Sequence, residues 1–149
     1  MVEAGRSGVS DNAYAGDVAP QQAWDLLSRD PKALLVDVRT RPEWLFVGIA
    51  DLSKLGKKPL FVEWQVFPSM QVDGAFADKI RAAGAAPDTP LLFICRSGGR
   101  SKAAAIAMTG QGFKHCYNVS GGFEGPPDAQ RHRGHVEGWK AVALPWVQE

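Results

Sequence analysis

The sequence predicts an α/β domain: a central, mostly parallel sheet flanked by helices. Three observations carry that expectation. Short, continuous apolar runs at residues 33–36 and 91–94 have the pattern of strands covered on both faces, and residues 60–64, broken by Glu63, read as another strand. Segments with apolar residues at helical spacing lie between them. Glycine, proline and aspartate mark the changeovers, as at Asp30-Pro31, Gly84 and Gly110.

The chain has 149 residues, the length of one domain that buries a core without covalent staples. Its formal net charge of +1 gives no broad basic field, so nucleic acid is not an expected partner. No apolar run approaches membrane-spanning length, and no membrane partner is expected. The first residues have no hydrophobic signal core, and the expected location is the cytoplasm. Two cysteines, Cys95 and Cys116, do not make a disulfide framework, and no Cys-x-x-Cys pair offers a zinc or dithiol motif.

Taken in order, residues 1–17 are small and polar without periodicity, and are expected to form a disordered tail ahead of one domain, 18–149. Pro20 suits a first helical turn, and Ala23, Leu26 and Leu27 follow at helical spacing. Asp30-Pro31 ends that helix. Residues 33–36 form a strand with Asp37 and Arg39 at its C-terminal end. Thr40 and Glu43 have capping-box spacing, which predicts a short helix with Trp44, Leu45 and Phe46 on its buried side. Residues 48–55 are extended, then looped. Residues 60–64 read as a strand and 67–70 as a loop. Phe76, Ile80 and Ala83 mark an amphipathic helix stopped by Gly84. A strand at 91–94 leads through a glycine loop into a helix ending near Thr109. A strand at 114–119 precedes a tight turn, 120–125, into a short helix. A polar loop at 126–134 and a docked tail carrying Trp139 and Trp146 complete the chain.

In open parallel sheets ligands bind beyond the carboxyl ends of the strands. Cys95-Arg96-Ser97-Gly98-Gly99-Arg100-Ser101 lies at such an end. The thiolate is the reactive form of cysteine. A helix N-terminus, a nest of N–H groups permitted by Gly98 and Gly99, and the charges of Arg96 and Arg100 all favour an anion there. The competing reading is a glycine-bearing turn of purely geometric origin with Cys95 as an apolar core residue.

The Cys-x4-Arg pattern from Cys95 to Arg100 resembles the active-site loop of the rhodanese family, Cys-Arg-Ser-Gly-x-Arg-Ser in many members. Further motifs follow in the same order. Leu35-Val36-Asp37-Val38-Arg39-Thr40-Arg41-Pro42-Glu43-Trp44 is similar to the family's first motif. Val119-Ser120-Gly121-Gly122-Phe123 resembles its glycine pair, and Trp139-Lys140-Ala141-Val142-Ala143-Leu144-Pro145 its C-terminal motif. One segment departs: Val47-Gly48-Ile49-Ala50-Asp51-Leu52 stands where the family has Gly-His-Ile and then Pro-Gly-Ala.

The resemblance implies a three-layer rhodanese-like domain and a sulfurtransferase. Cys95 would carry a sulfane sulfur as a persulfide. The loop from Arg96 through Ser97, Gly98, Gly99, Arg100 and Ser101 would bind the anionic donor. Asp37, Arg39 and Glu43 would brace that loop by ion pairs rather than take part in chemistry. The implied partners are a small sulfur donor such as thiosulfate and a thiol or cyanide acceptor, with a protein acceptor as an alternative, and no cofactor. A non-catalytic docking module ranks below this reading, because such modules typically lack the cysteine. A cysteine phosphatase or arsenate reductase ranks lower still, because those loops resemble the longer Cys-x5-Arg.

Other groupings give less. Cys116 reads as a buried structural thiol. His132 and His135 read as a solvated loop, since no acidic or cysteine ligand accompanies them, and no metal is expected. Trp64 and Phe67 are candidates for the rim of the site.

Overall fold

The computed structural model describes residues 13–148. The elements are β1 (Gly16–Val18), α1 (Pro20–Arg29), β2 (Leu34–Asp37), α2 (Arg41–Phe46) and β3 (Ile49–Ala50). A 3-10 turn at Ser53–Leu55 leads to β4 (Leu60–Phe61), β5 (Gln65–Val66), β6 (Gln71–Val72) and α3 (Phe76–Ala82). Then come β7 (Leu91–Ile94), α4 (Gly99–Gly110), β8 (Cys116–Val119) and β9 (Trp146–Val147).

Five strands form one sheet in the order β1-β8-β7-β2-β4, and every pairing in it is parallel. Strand β7 shows why its sequence is apolar throughout. Leu91, Phe93 and Cys95 face the core beneath α3 and α4, while Leu92 and Ile94 face the core beneath α1 and the C-terminal segment. Successive side chains of a strand alternate between faces. With a layer on each face, both sets are buried, and the result is a three-layer α/β domain. Ala104 and Ala105 are fully buried, so the small side chains of α4 let its backbone lie close on the sheet.

Several expectations change. The boundary at 17/18 is wrong: Gly16 and Asp17 belong to β1, which pairs with β8 from Gly16↔Tyr117 to Val18↔Val119. A three-residue edge strand takes its conformation from its partner, so it leaves no periodicity to read. The rest of the expected tail, residues 1–12, lies outside the described residues. Strand β2 begins at Leu34, because the Ala33 N–H closes the turn onto the Asp30 carbonyl. The loop at 67–70 is the turn of a small antiparallel hairpin, with Gln65↔Val72 and Val66↔Gln71 paired on either side of it. The extended segment before the 3-10 turn is a strand, β3, paired antiparallel with β9.

Two helix expectations also fail. Among the described residues no helix follows residue 120: Gly121, Gly122 and Gly125 have φ of 76°, 62° and 70°, a left-handed conformation that cannot propagate a right-handed helix. Helix α2 exists, but its apolar side is not inward. Phe46 is 75% and Leu45 46% exposed, and Trp44 packs edge-on against Phe61 at the rim. The inward contact of α2 is made by a carboxylate, that of Glu43. No helix among the described residues is long and apolar enough to cross a membrane.

Candidate active site

Cys95 directly follows the central strand β7 and is 1% exposed. The chain then turns through Gly98, whose φ of 116° sits where a side chain is strained, and enters α4. This turn folds the first N–H groups of α4 back over the sulfur. Gly98 N–H lies 3.2 Å and Ser101 N–H 3.4 Å from Cys95 Sγ, and the Ser101 hydroxyl oxygen lies 3.2 Å from it. The helix macrodipole and the two N–H groups together suit a negative charge at the sulfur.

The carbonyl side of the loop is held as firmly. Cys95 O accepts the Phe123 N–H at 2.8 Å, and Arg96 O accepts those of Glu124 and Gly125, each at 3.0 Å. A Cβ on Gly122 would lie 2.5 Å from Cys95 O and 2.6 Å from Arg96 O, so only glycine allows this approach. The turn is seated from behind. Trp139 N–H donates to Gly122 O at 2.8 Å, and a Cβ on Gly138 would lie 2.8 Å from the carbonyls of Gly121 and Gly122. The Trp139 side chain is fully buried and donates its Nε1–H to Pro145 O at 2.7 Å.

Charged groups surround the loop in two units. Arg100 meets Glu43 through two parallel bonds, Nη1 to Oε1 at 2.7 Å and Nη2 to Oε2 at 3.0 Å. Thr40 adds its N–H and hydroxyl to Glu43 Oε1. Burial alone would raise the Glu43 carboxyl. The hydrogen bonds and charge of Arg100, with the Thr40 bonds, outweigh it and hold the group down to about 2. The second unit is Asp37–Arg39, both buried, bonded Nε to Oδ1 at 2.9 Å and Nη2 to Oδ2 at 2.7 Å. Arg39 also donates to Gly48 O at 2.8 Å and lies 4.4 Å over the Phe123 ring. This pair reaches the sulfur loop through the Phe123 ring and through the charge of Asp37, which acts on Arg100. Arg96 differs from both: it is exposed, and its side chain makes no hydrogen bond or ion pair among the described residues.

Cys116, Trp64, Phe67 and the two loop histidines complete the set of candidates. Cys116 is paired in register with Leu91, four positions before Cys95, or roughly 13 Å along the strand at ~3.3 Å per residue. That separation is too great for a disulfide. Burial pushes the Cys116 thiol up to about 11. Trp64 packs on Phe76 at 5.1 Å, while Phe67 stands 54% exposed on the hairpin. His132 and His135 do have an acidic neighbour, because the loop folds Asp128 onto them, and the three donor atoms lie within 4.8 Å of one another. Asp128 is already engaged: Oδ1 takes the N–H groups of Gln130 and His132, and Oδ2 pairs with His135 Nδ1 at 3.0 Å. The cluster staples its own loop. Two residues at the site are absent from the sequence reading, Asn118 and Asp17. A polar residue on the inward face of β8, between Cys116 and the chain's next turn, was the available signal for Asn118.

The chain is similar to known proteins over most of its length. Residues 15–149 match the family model described as the STR4 middle domain. The thiosulfate sulfurtransferase GlpE of Pseudomonas syringae pv. syringae is 35% identical over 108 residues, 72% of this chain and 82% of that protein. The chain belongs to the rhodanese-like family. This rhodanese-like domain is also 39% identical over 132 residues to "Uncharacterized protein RP600 homolog" of Rickettsia rickettsii, covering 87% of this chain and 95% of that protein. Among solved structures it is similar to the crystal structure of Rv0390 from M. tuberculosis, with 48% identity and a TM-score of 0.83, over 91% of this chain and 99% of that one.

Proposed function

We propose that this rhodanese-like domain is a sulfurtransferase that carries sulfur on Cys95. The observation that supports it most is the placement of Cys95 Sγ within reach of two backbone N–H groups and one hydroxyl at the opening of α4. The Cys95 thiolate attacks the outer sulfur of thiosulfate. The bond between the two donor sulfurs breaks, sulfite leaves with its electron pair, and an anionic persulfide remains. Cyanide or a thiolate then attacks the outer sulfur and regenerates the Cys95 thiolate. This is covalent catalysis in two half-reactions. The N–H groups of the loop stabilise the anion at each stage.

The arginines divide the work. Arg100 is occupied by Glu43 and serves to hold the loop's shape. Arg96 is the loop cation turned to solvent, and it attracts the anionic donor. The four-residue spacing between Cys95 and Arg100 leaves the loop short for a phosphoryl group, which ranks phosphatase chemistry lower.

Intact mass after incubation with thiosulfate tests the reading. The protein gains the mass of one sulfur atom, loses it on adding cyanide, and gains none as Cys95→Ser. An unchanged mass in the native protein, or an equal gain in the variant, removes Cys95 as the carrier. Turnover of an aryl phosphate at a rate comparable to thiosulfate consumption favours the phosphatase reading instead.

A further inference from the structure

A line of hydrogen bonds runs from the sulfur to the protein surface. Ser101 Oγ lies 3.2 Å from Cys95 Sγ and 2.5 Å from Asn118 Oδ1. Asn118 Nδ2 donates to Asp17 Oδ1 at 3.0 Å, and the Tyr14 hydroxyl donates to the same oxygen at 2.8 Å. Asp17 and Asn118 are direct partners in the β1–β8 ladder, so the sheet itself holds the two side chains together. Ser101 and Asn118 are buried, whereas Asp17 is exposed.

Counting donors sets the polarity of this line. An ionised carboxylate accepts hydrogen bonds and donates none. Asn118 therefore turns its amide NH2 toward Asp17 and its carbonyl toward Ser101. The Ser101 hydroxyl has one proton, and two acceptors compete for it: Asn118 Oδ1 and Cys95 Sγ. While Asn118 takes that proton, the sulfur faces a hydroxyl lone pair and depends on the N–H groups of Gly98 and Ser101. Were the amide reversed, its NH2 would donate to Ser101 Oγ, and the hydroxyl proton would be released to the sulfur.

We propose that Asp17 is a positioning residue which, through Asn118, directs the Ser101 hydroxyl proton away from Cys95 and keeps the sulfur anion under-stabilised and strongly nucleophilic. The inference rests on the sulfur-transfer reading of Cys95 for its purpose. A thiolate with fewer donors is the better attacker of a donor sulfur. When the acceptor later attacks the persulfide, Cys95 Sγ leaves as an anion, and rotation about one Ser101 bond supplies a further donor to it. The other charges near the sulfur come from Arg96 in the loop and from Arg100 on α4, with Asp37 of β2 and Glu43 of α2 acting on Arg100. On the outer side, Lys102 lies 5.9 Å over the Tyr14 ring. Changing Asp17 removes none of these charges; it takes away the acceptor of the Tyr14 hydroxyl, and the Ser101→Ala background controls for that loss.

The test is the pH dependence of Cys95 alkylation by iodoacetamide, which needs no sulfur donor and so stands apart from the persulfide experiment. Asp17→Asn and Asp17→Ala each free the Asn118 amide to turn over. Each is expected to move the alkylation profile to lower pH by about one unit, the order of one hydrogen bond to a charged group. In a Ser101→Ala background, or in Asn118→Ala should the first not fold, the same Asp17 changes are expected to move nothing. An equal shift in both backgrounds means that Asp17 acts only as a nearby negative charge, and overturns the proposal. An unshifted profile in both Asp17 variants overturns it too. If the shift and its dependence on Ser101 hold while thiosulfate leaves no sulfur on Cys95, the positioning stands and the sulfur-transfer reading falls.

Discussion

Replacing Glu43 with Gln isolates the ion pair that ties α2 to the sulfur loop. The substitution keeps the shape and removes the charge. In the native protein the Glu43 carboxyl is held down to about 2, against an ordinary value of 4.5. A depressed carboxyl contributes stability that is fully present above its unfolded value and is lost as pH falls through its folded value. The lowered carboxyl, with Arg100 and Thr40 as its partners, therefore adds ~3 kcal/mol at pH 7, ~1.5 kcal/mol at pH 3 and less than ~0.5 kcal/mol at pH 2 by proton linkage. Both side chains are about one-fifth exposed, so solvent screening makes these upper figures. Urea denaturation of both proteins at pH 7, 5, 4 and 3 measures the gap directly. Glu43→Gln should be less stable at pH 7, and the two stabilities should converge as the pH falls below 4. Parallel curves across that range would refute the lowering of the Glu43 carboxyl in the folded protein.

Four further outcomes are expected. Arg96→Ala should raise KM for thiosulfate several-fold with little change in kcat, since it removes a charge that meets the donor and not the transferring sulfur; an unchanged KM takes Arg96 out of the site. Gly122→Ala should abolish sulfur loading and cost several kcal/mol, because its Cβ would meet the Cys95 and Arg96 carbonyls; native-like melting would show that the turn relaxes. Arg39→Met should cost about 3–5 kcal/mol by leaving Asp37 buried without its partner, read by chemical denaturation. Cys116, raised to about 11, should resist alkylation at pH 8 in the folded protein and react only after denaturation; two modified thiols under native conditions would contradict its burial.

The parts of the fold legible in the sequence are those whose burial leaves a pattern. Strand β7 is covered on both faces, so all four of its residues are apolar, and its limits at 91 and 94 agree with the structure. Helix α1 shows itself by one buried stripe and by Pro20 at its start. The site loop is legible because its spacing is short and its residues are chemically distinct. Helix α2 misleads for a physical reason. Its apolar residues sit at a partly open rim, while its most consequential inward contact is an ion pair, the reverse of the usual amphipathic rule. Strand β1 is invisible for another: it owes its conformation to β8, and a Gly-Asp-Val segment alone carries no period. The connection of Asp17 to the sulfur follows from that pairing, so it too lies beyond one-dimensional reading.

The turn at Gly121-Gly122, which holds the Cys95 and Arg96 carbonyls, is itself seated by Gly138 and Trp139. Order of synthesis gives this arrangement a consequence. As the chain leaves the ribosome, the cysteine emerges well before the residues that brace it. Strands β2 and β7 can pair by then, yet the turn behind the sulfur has nothing to rest on until residue 139 is free to dock. The nascent thiol is thus left without its finished cradle, and the turn that holds the Cys95 and Arg96 carbonyls is seated late, with the C-terminal segment.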